Sequence, residues 1–199
     1  MKKTILAIAM VAAFVPAAAA DGLYVAVDVG QSNANDMCSP ANFGGNTTCS
    51  TTATAFRIGG GYNFTPNFGV EISYADLGNV NPVSSPGYYQ STKAKTYQVA
   101  ATGTLPIGYE LSLIGKLGLA QTTFDQSWTT AGLCAGGCST TATDTNFAYG
   151  VGLQYDLQNF AIRMQYEDLG QVGSLPITAT GGTGRSRVTL VSGGLLYRF

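Results

Sequence analysis

The sequence predicts an all-β fold, an eight-stranded antiparallel up-and-down transmembrane β-barrel. Three observations carry that expectation. Eight segments alternate apolar with small or polar residues at a period of two, short and long connections alternate between them, and an export signal precedes them.

The signal is read first because it is an address rather than part of a fold. Lys2 and Lys3 open the chain, Thr4 to Phe14 is apolar, and Ala18-Ala19-Ala20 supplies an A-x-A cleavage site before Asp21. The chain therefore divides into a signal peptide at 1–20, cleaved after Ala20, and a barrel at 21–199 bound for a bacterial outer membrane. Beyond the signal no apolar run approaches the ~20 residues that a membrane helix needs. Without Lys2 and Lys3 the ten basic side chains fall to eight, against eleven acidic ones. That balance, and the lack of any recognisable binding motif, gives no support for a nucleic-acid partner.

The strands are expected near 22–32, 54–65, 67–77, 94–105, 109–121, 145–156, 159–169 and 186–199. In the first, Leu23, Val25, Val27 and Val29 alternate with Tyr24, Ala26, Asp28 and Gly30. Parity turns Arg57 on the second strand and Lys116 on the fifth toward the inner face. The third sets Phe68, Val70, Ile72 and Tyr74 against Gly69, Glu71 and Ser73, and the fourth turns Tyr97 and Val99 to lipid. The sixth sets Phe147, Tyr149, Val151, Leu153 and Tyr155 against Ala148, Gly150, Gly152 and Gln154. The seventh sets Phe160, Ile162, Met164 and Tyr166 against Ala161, Arg163 and Gln165, and the eighth places Val191, Leu195, Tyr197 and Phe199 on one face.

One face is thus apolar with aromatic ends, and the other is small, polar or charged. Lipid outside and a polar interior account for both, whereas a soluble barrel would have to bury the charges or expose the aromatics. Thr65-Pro66-Asn67, Pro106-Ile107-Gly108 and Leu157-Gln158-Asn159 read as tight turns. The stretches 33–53, 78–93, 122–144 and 170–185 read as long Ser/Thr/Gly/Asn-rich loops. Short turns on the periplasmic side and long loops outside are the asymmetry of an outer-membrane barrel.

The segments "GGGYNFTPNFGVEISYADLG", "LPIGYELSLIGKLGLA" and "GVGLQYDLQNFAIRMQYEDLG" resemble the eight-stranded OmpA-like transmembrane domain. The ending "LYRF" resembles that of its small relatives such as OmpX and OmpW. The resemblance spans the whole chain after the signal. It implies recognition of the C-terminal strand, ending in Phe199, by the barrel-assembly machinery.

Within the sequence, "NFGVEISYADLGNV" at Asn67–Val80 recurs as "NFAIRMQYEDLGQV" at Asn159–Val172. In a ring of eight the two copies stand on opposite walls. Glu71 and Arg163 lie at the same place after their turn Asn, point inward, and can meet across a lumen just wide enough for side chains to fill. The family resemblance also implies an interior acidic-basic cluster, in which Glu71 and Arg163 match an acidic and an Arg member. Two other matching positions differ, being Gln154 and Thr102 here. The expected lumen cluster is Glu71, Arg163, Lys116, Gln154 and Arg57.

Cys38 and Cys49 fall in the first long loop, Cys134 and Cys138 in the third. Export to an oxidising compartment makes disulfides the default. Four cysteines allow three pairings, and proximity favours Cys38 with Cys49 and Cys134 with Cys138. Their spacing is not that of paired metal knuckles, so no metal or cofactor is expected.

With no His in the chain, a His-dependent triad has no base, and Glu167 and Asp168 read as a solvated rim rather than an acid/base pair. No enzyme is expected. Lys93, Lys95, Arg185 and Arg187 share the parity of the lipid-facing residues below them and stand at the height of outer-leaflet phosphates, so lipopolysaccharide is an expected partner. The functional expectation is a surface-exposed structural barrel with a polar-filled lumen and loops available for adhesion or host contact. The alternative is a narrow channel for ions or small apolar solutes.

Overall fold

The computed structural model describes residues 22–34, 50–85, 88–130, 138–177 and 182–199. The expected signal peptide, and Cys38, Cys49 and Cys134, lie outside the described residues. Eight strands follow in chain order: β1 (Leu23–Ala34), β2 (Thr52–Asn63), β3 (Phe68–Ser85), β4 (Tyr88–Pro106), β5 (Leu111–Thr130), β6 (Cys138–Leu157), β7 (Phe160–Ile177) and β8 (Gly182–Arg198). Each pairs antiparallel with the next, and β8 pairs with β1 to close the barrel.

The outward face is what lipid requires. Val25, Val27, Val29, Phe56, Ile58, Ile72, Val99, Leu117, Leu119, Val151, Met164 and Leu195 are all exposed. The upper edge of this band can be read from the ladder. One rung joins Ile72, Val99, Leu119 and Phe147; the next joins Tyr74, Tyr97, Gln121 and Thr145; the third joins Asp76, Lys95, Thr123 and Thr143. Chemistry therefore changes from apolar through aromatic to charged within three rungs. The Tyr74 and Tyr97 rings, with centroids 5.0 Å apart, mark the interface.

The strands run much further outward than the alternation indicates. Most of 78–93, 122–144 and 170–185, expected as loops, is strand, and Cys138 opens β6 rather than sitting in a loop. At ~3.4 Å per residue and ~40° tilt, a strand of 20 residues such as β5 or β6 rises about 50 Å, roughly twice the apolar band. Above the lipid the outer face of the wall no longer meets acyl chains, so the outward apolar half of the alternation lapses while the Thr-rich backbone ladder continues.

The repeated Asp-Leu-Gly is a matched pair of β-bulges. Gly78 has φ +76° and Gly170 φ +85°, and the register shifts at both sites. The Gly78 N–H donates to Asp76 Oδ1 and the Gly170 N–H to Asp168 Oδ1, each at 2.9 Å. Each bulge inverts the facing of the strand above it. Leu169 and Val172 both point inward, with Gln171 exposed between them.

Candidate functional site

The lumen is the one interior that all eight strands share. Midway along it lie three acids, Asp28, Glu71 and Glu167, and three bases, Arg57, Lys116 and Arg163, none more than 6% exposed. Arg163 donates from Nη1 to Glu71 Oε2 at 2.7 Å, and from Nε and Nη2 to the two Asp28 oxygens at 3.0 Å each. Lys116 Nζ lies 2.6 Å from Glu71 Oε1 and 3.1 Å from Glu167 Oε1. Arg57 closes the network, 2.9 Å from Asp28 and 2.6 Å from Glu167. The Tyr24 hydroxyl donates to Glu71 Oε2 at 3.0 Å. Equal numbers of each sign, each group with at least two ionic partners, let the chain bury charges that would be prohibitive singly.

The arrangement follows the internal repeat. Matching Asn67 to Asn159 sets Glu71 on Arg163, and matching Leu23 to Leu111 sets Asp28 on Lys116, with the sign inverted in both cases. The contact Asp28–Arg163 in one half then corresponds to Lys116–Glu71 in the other. Glu71 and Arg163, corresponding positions on opposite walls, meet each other. Acidic and basic copies bind where like copies would repel.

Of the expected cluster, Glu71, Arg163, Lys116 and Arg57 are brought together. Gln154 is buried beside them but donates instead to Asp156 Oδ1 at 3.0 Å. Asp28 and Glu167 were not among the expected members. The parity of the first strand, which puts Asp28 with Tyr24 and Ala26, carried the signal for Asp28. Glu167, expected at a solvated rim, is 1% exposed. It shares inward parity with Arg163 and Gln165 and lies beneath Leu169, so water does not reach it.

A second correction concerns the polar filling. Above the charges the lumen holds Leu77, Phe124, Leu169, Val172, Val188 and Leu190 with several alanines, all at or near zero exposure. Ser32, Thr92, Thr96 and Thr122 are interleaved with them. The two bulges contribute Leu77 and Leu169 from opposite walls. Below the charges a cavity of about 450 Å³ lies toward the periplasmic turns, lined by Tyr24, Thr102, Ser112, Gln154 and Leu196. Its roof is Glu71, Lys116 and Arg163, and an Arg198–Asp156 ion pair stands among its lining. The lumen is thus three-layered: an apolar seal outside, a charge network in the middle, and an open vestibule toward the periplasm.

The rim cations separate into two places four strands apart. Lys93 and Lys95 face outward on β4 and form no ion pair within 4 Å among the described residues. Arg187 on β8 is committed: its Nε donates to Asp168 Oδ2 at 2.6 Å and its Nη2 to the Tyr149 hydroxyl at 2.8 Å. Asp168 is therefore a structural staple at its bulge. The side chain of Arg185 lies outside the described residues. Cys138 is disulfide-bonded, and its three possible partners lie outside them as well.

Comparison with known proteins places this geometry. Among solved structures, Ail, the attachment invasion locus protein of Yersinia pestis, has 22% identity and a TM-score of 0.57, covering 90% of this chain and 99% of that one. The Neisserial surface protein A has 17% identity and a TM-score of 0.53, covering 89% and 97%. OprG from Pseudomonas aeruginosa has 16% identity and a TM-score of 0.52, covering 89% and 96%. No curated protein sequence matches the chain. The family model described as outer membrane protein beta-barrel domain matches residues 4–199, and with the closed eight-stranded wall and its lipid-facing belt this shows that the chain belongs to the small outer-membrane β-barrel family and resides in the bacterial outer membrane.

Proposed function

We propose that the chain is a non-catalytic surface protein whose work is done by its extracellular wall and loops, the lumen serving to hold the barrel rigid. The observation that supports this reading is the layered lumen. A pore that conducts needs a continuous wet path, and here an apolar layer lies directly on a neutralised charge network. Meanwhile about half the height of β5 and β6 stands above the lipid, far more wall than closure of a barrel requires. The neighbour Ail is an attachment invasion locus protein and has been solved with the heparin analogue sucrose octasulfate.

Purified barrel in planar bilayers is expected to show no steady unitary conductance, and cells displaying it to adhere more than cells displaying a variant with shortened loops. A steady open channel would replace this reading with that of a narrow conduit, for which the vestibule is the supporting feature.

Lipopolysaccharide is the proposed lipid partner, through Lys93 and Lys95, which stand on consecutive outward positions above the Tyr74–Tyr97 interface. Among the described residues their ammonium groups are the uncommitted rim cations, and phosphates at that height accept charge-assisted hydrogen bonds. Changing both to Gln is expected to weaken lipopolysaccharide association at fixed salt, and added salt to weaken the wild type. Equal association by the two proteins would remove these lysines from the contact. Assembly through the C-terminal strand and cleavage of the signal after Ala20 belong to the same proposal.

A further inference from the structure

The vestibule below the charge network is a cavity with one open end. The network forms its roof and the apolar layer lies over that, so a molecule can enter only from the periplasmic side. Its volume of about 450 Å³ lies within the roughly 300 to 1,000 Å³ of small-molecule sites.

The two sides of this cavity differ in chemistry. Thr104 on β4, Ser112 on β5 and Gln154 on β6 line one side; Ser112 pairs in register with Gln154, and Thr104 with Ile114 just above Ser112. Among the described residues the Thr104 and Ser112 hydroxyls have no hydrogen-bond partner in the wall, and Gln154 donates through Nε2 to Asp156 while its Oε1 accepts nothing. Across the lumen, on β1 and β8, the side is apolar: Tyr24 and Leu196 pack with Ala26 and Ala161. Gly61 makes room for that packing, since a Cβ there would stand 2.3 Å from Cζ of the Tyr24 ring. Charge is balanced throughout. Lys116 and Arg163 in the roof are bound to Glu71, and Arg198 is bound to Asp156 at 2.5 Å.

We infer that the vestibule binds one pyranose ring of an uncharged saccharide supplied from the periplasm. This goes beyond the surface reading above and does not rest on it. A charged ligand finds no unpaired countercharge here, and an apolar one would strip water from Thr104, Ser112 and Gln154 without replacing its hydrogen bonds. A pyranose satisfies both sides together. Its hydroxyl groups donate and accept along one edge, matching the hydroxyls and the amide oxygen, and its C–H faces suit Tyr24 and Leu196. A free sugar and the end unit of a longer glycan share this chemistry.

The test uses the full barrel in lipid nanodiscs, with N-acetylglucosamine and its β-1,4-linked tetramer as probes and saturation-transfer NMR as the readout. Saturable binding of the monosaccharide is expected, with no displacement by inorganic phosphate or by benzene. Binding of the tetramer as well identifies a chain end as the ligand, and binding of the monosaccharide alone a free sugar. Thr104→Val combined with Ser112→Ala keeps the volume and removes two hydroxyls, so it is expected to weaken binding about tenfold, the worth of two neutral hydrogen bonds. Ser112→Phe fills the cavity and is expected to abolish binding. Lys93→Gln with Lys95→Gln, on the outer wall, is expected to bind as wild type. Equal binding by the Thr104→Val, Ser112→Ala variant, loss in the outer-wall variant, or displacement by phosphate or benzene would overturn the assignment. Absence of saturable binding by either saccharide would overturn it too, while leaving the surface reading intact.

Discussion

Arg163→Ala is expected to cost the barrel roughly 3 to 5 kcal/mol of stability, because its guanidinium makes three hydrogen bonds to two buried carboxylates. Asp28 loses two of its guanidinium contacts and Glu71 one. Both stay buried, and Lys116 and Arg57 alone must then face three acids. Glu71→Ala in the same background removes one of the stranded charges, so the double variant is expected to recover part of the loss, though not the part due to Asp28. Urea unfolding in lipid vesicles reads both. Additive losses in that cycle would mean that Glu71 and Arg163 are not coupled.

Phe124→Ala is expected to cost about 3 to 5 kcal/mol by a different route. The ring is fully buried in the apolar layer, packed among Leu77, Leu169 and Leu190, and deleting it removes contacts and leaves a void. Phe124→Leu, which keeps most of the volume, is expected to cost under ~1.5 kcal/mol. An alanine variant as stable as wild type would show that the layer is loosely packed and would weaken the case for a seal.

The wall was legible in the sequence and the lumen only in part, and particular residues show why. Strand parity separates Val25, Val27 and Val29 from Tyr24, Ala26 and Asp28 because lipid and lumen impose opposite chemistries on alternate residues. Thr122–Thr130 and Cys138–Asp144 carry no such contrast, since neither of their faces meets lipid, and so their strands read as loops. The apolar layer was hidden for a related reason. Leu77, Phe124 and Leu169 lie on the parity that carries charge lower down, and parity reports which way a residue faces, not how high it stands. Glu167 was misjudged because the bulge that roofs it announces itself only through Gly170, whose left-handed backbone is a feature of conformation rather than composition.

The sign inversion between the two halves has a further meaning. A residue lying near a pseudo-twofold axis meets its own copy, so a chain built as an exact repeat would set Glu71 against a second Glu, or Arg163 against a second Arg. Neither homogeneous version could close around a dry lumen. The broken symmetry at this one pair is therefore a condition for having the symmetric wall at all: the outside can be duplicated freely, whereas the centre has to be written twice with opposite charge.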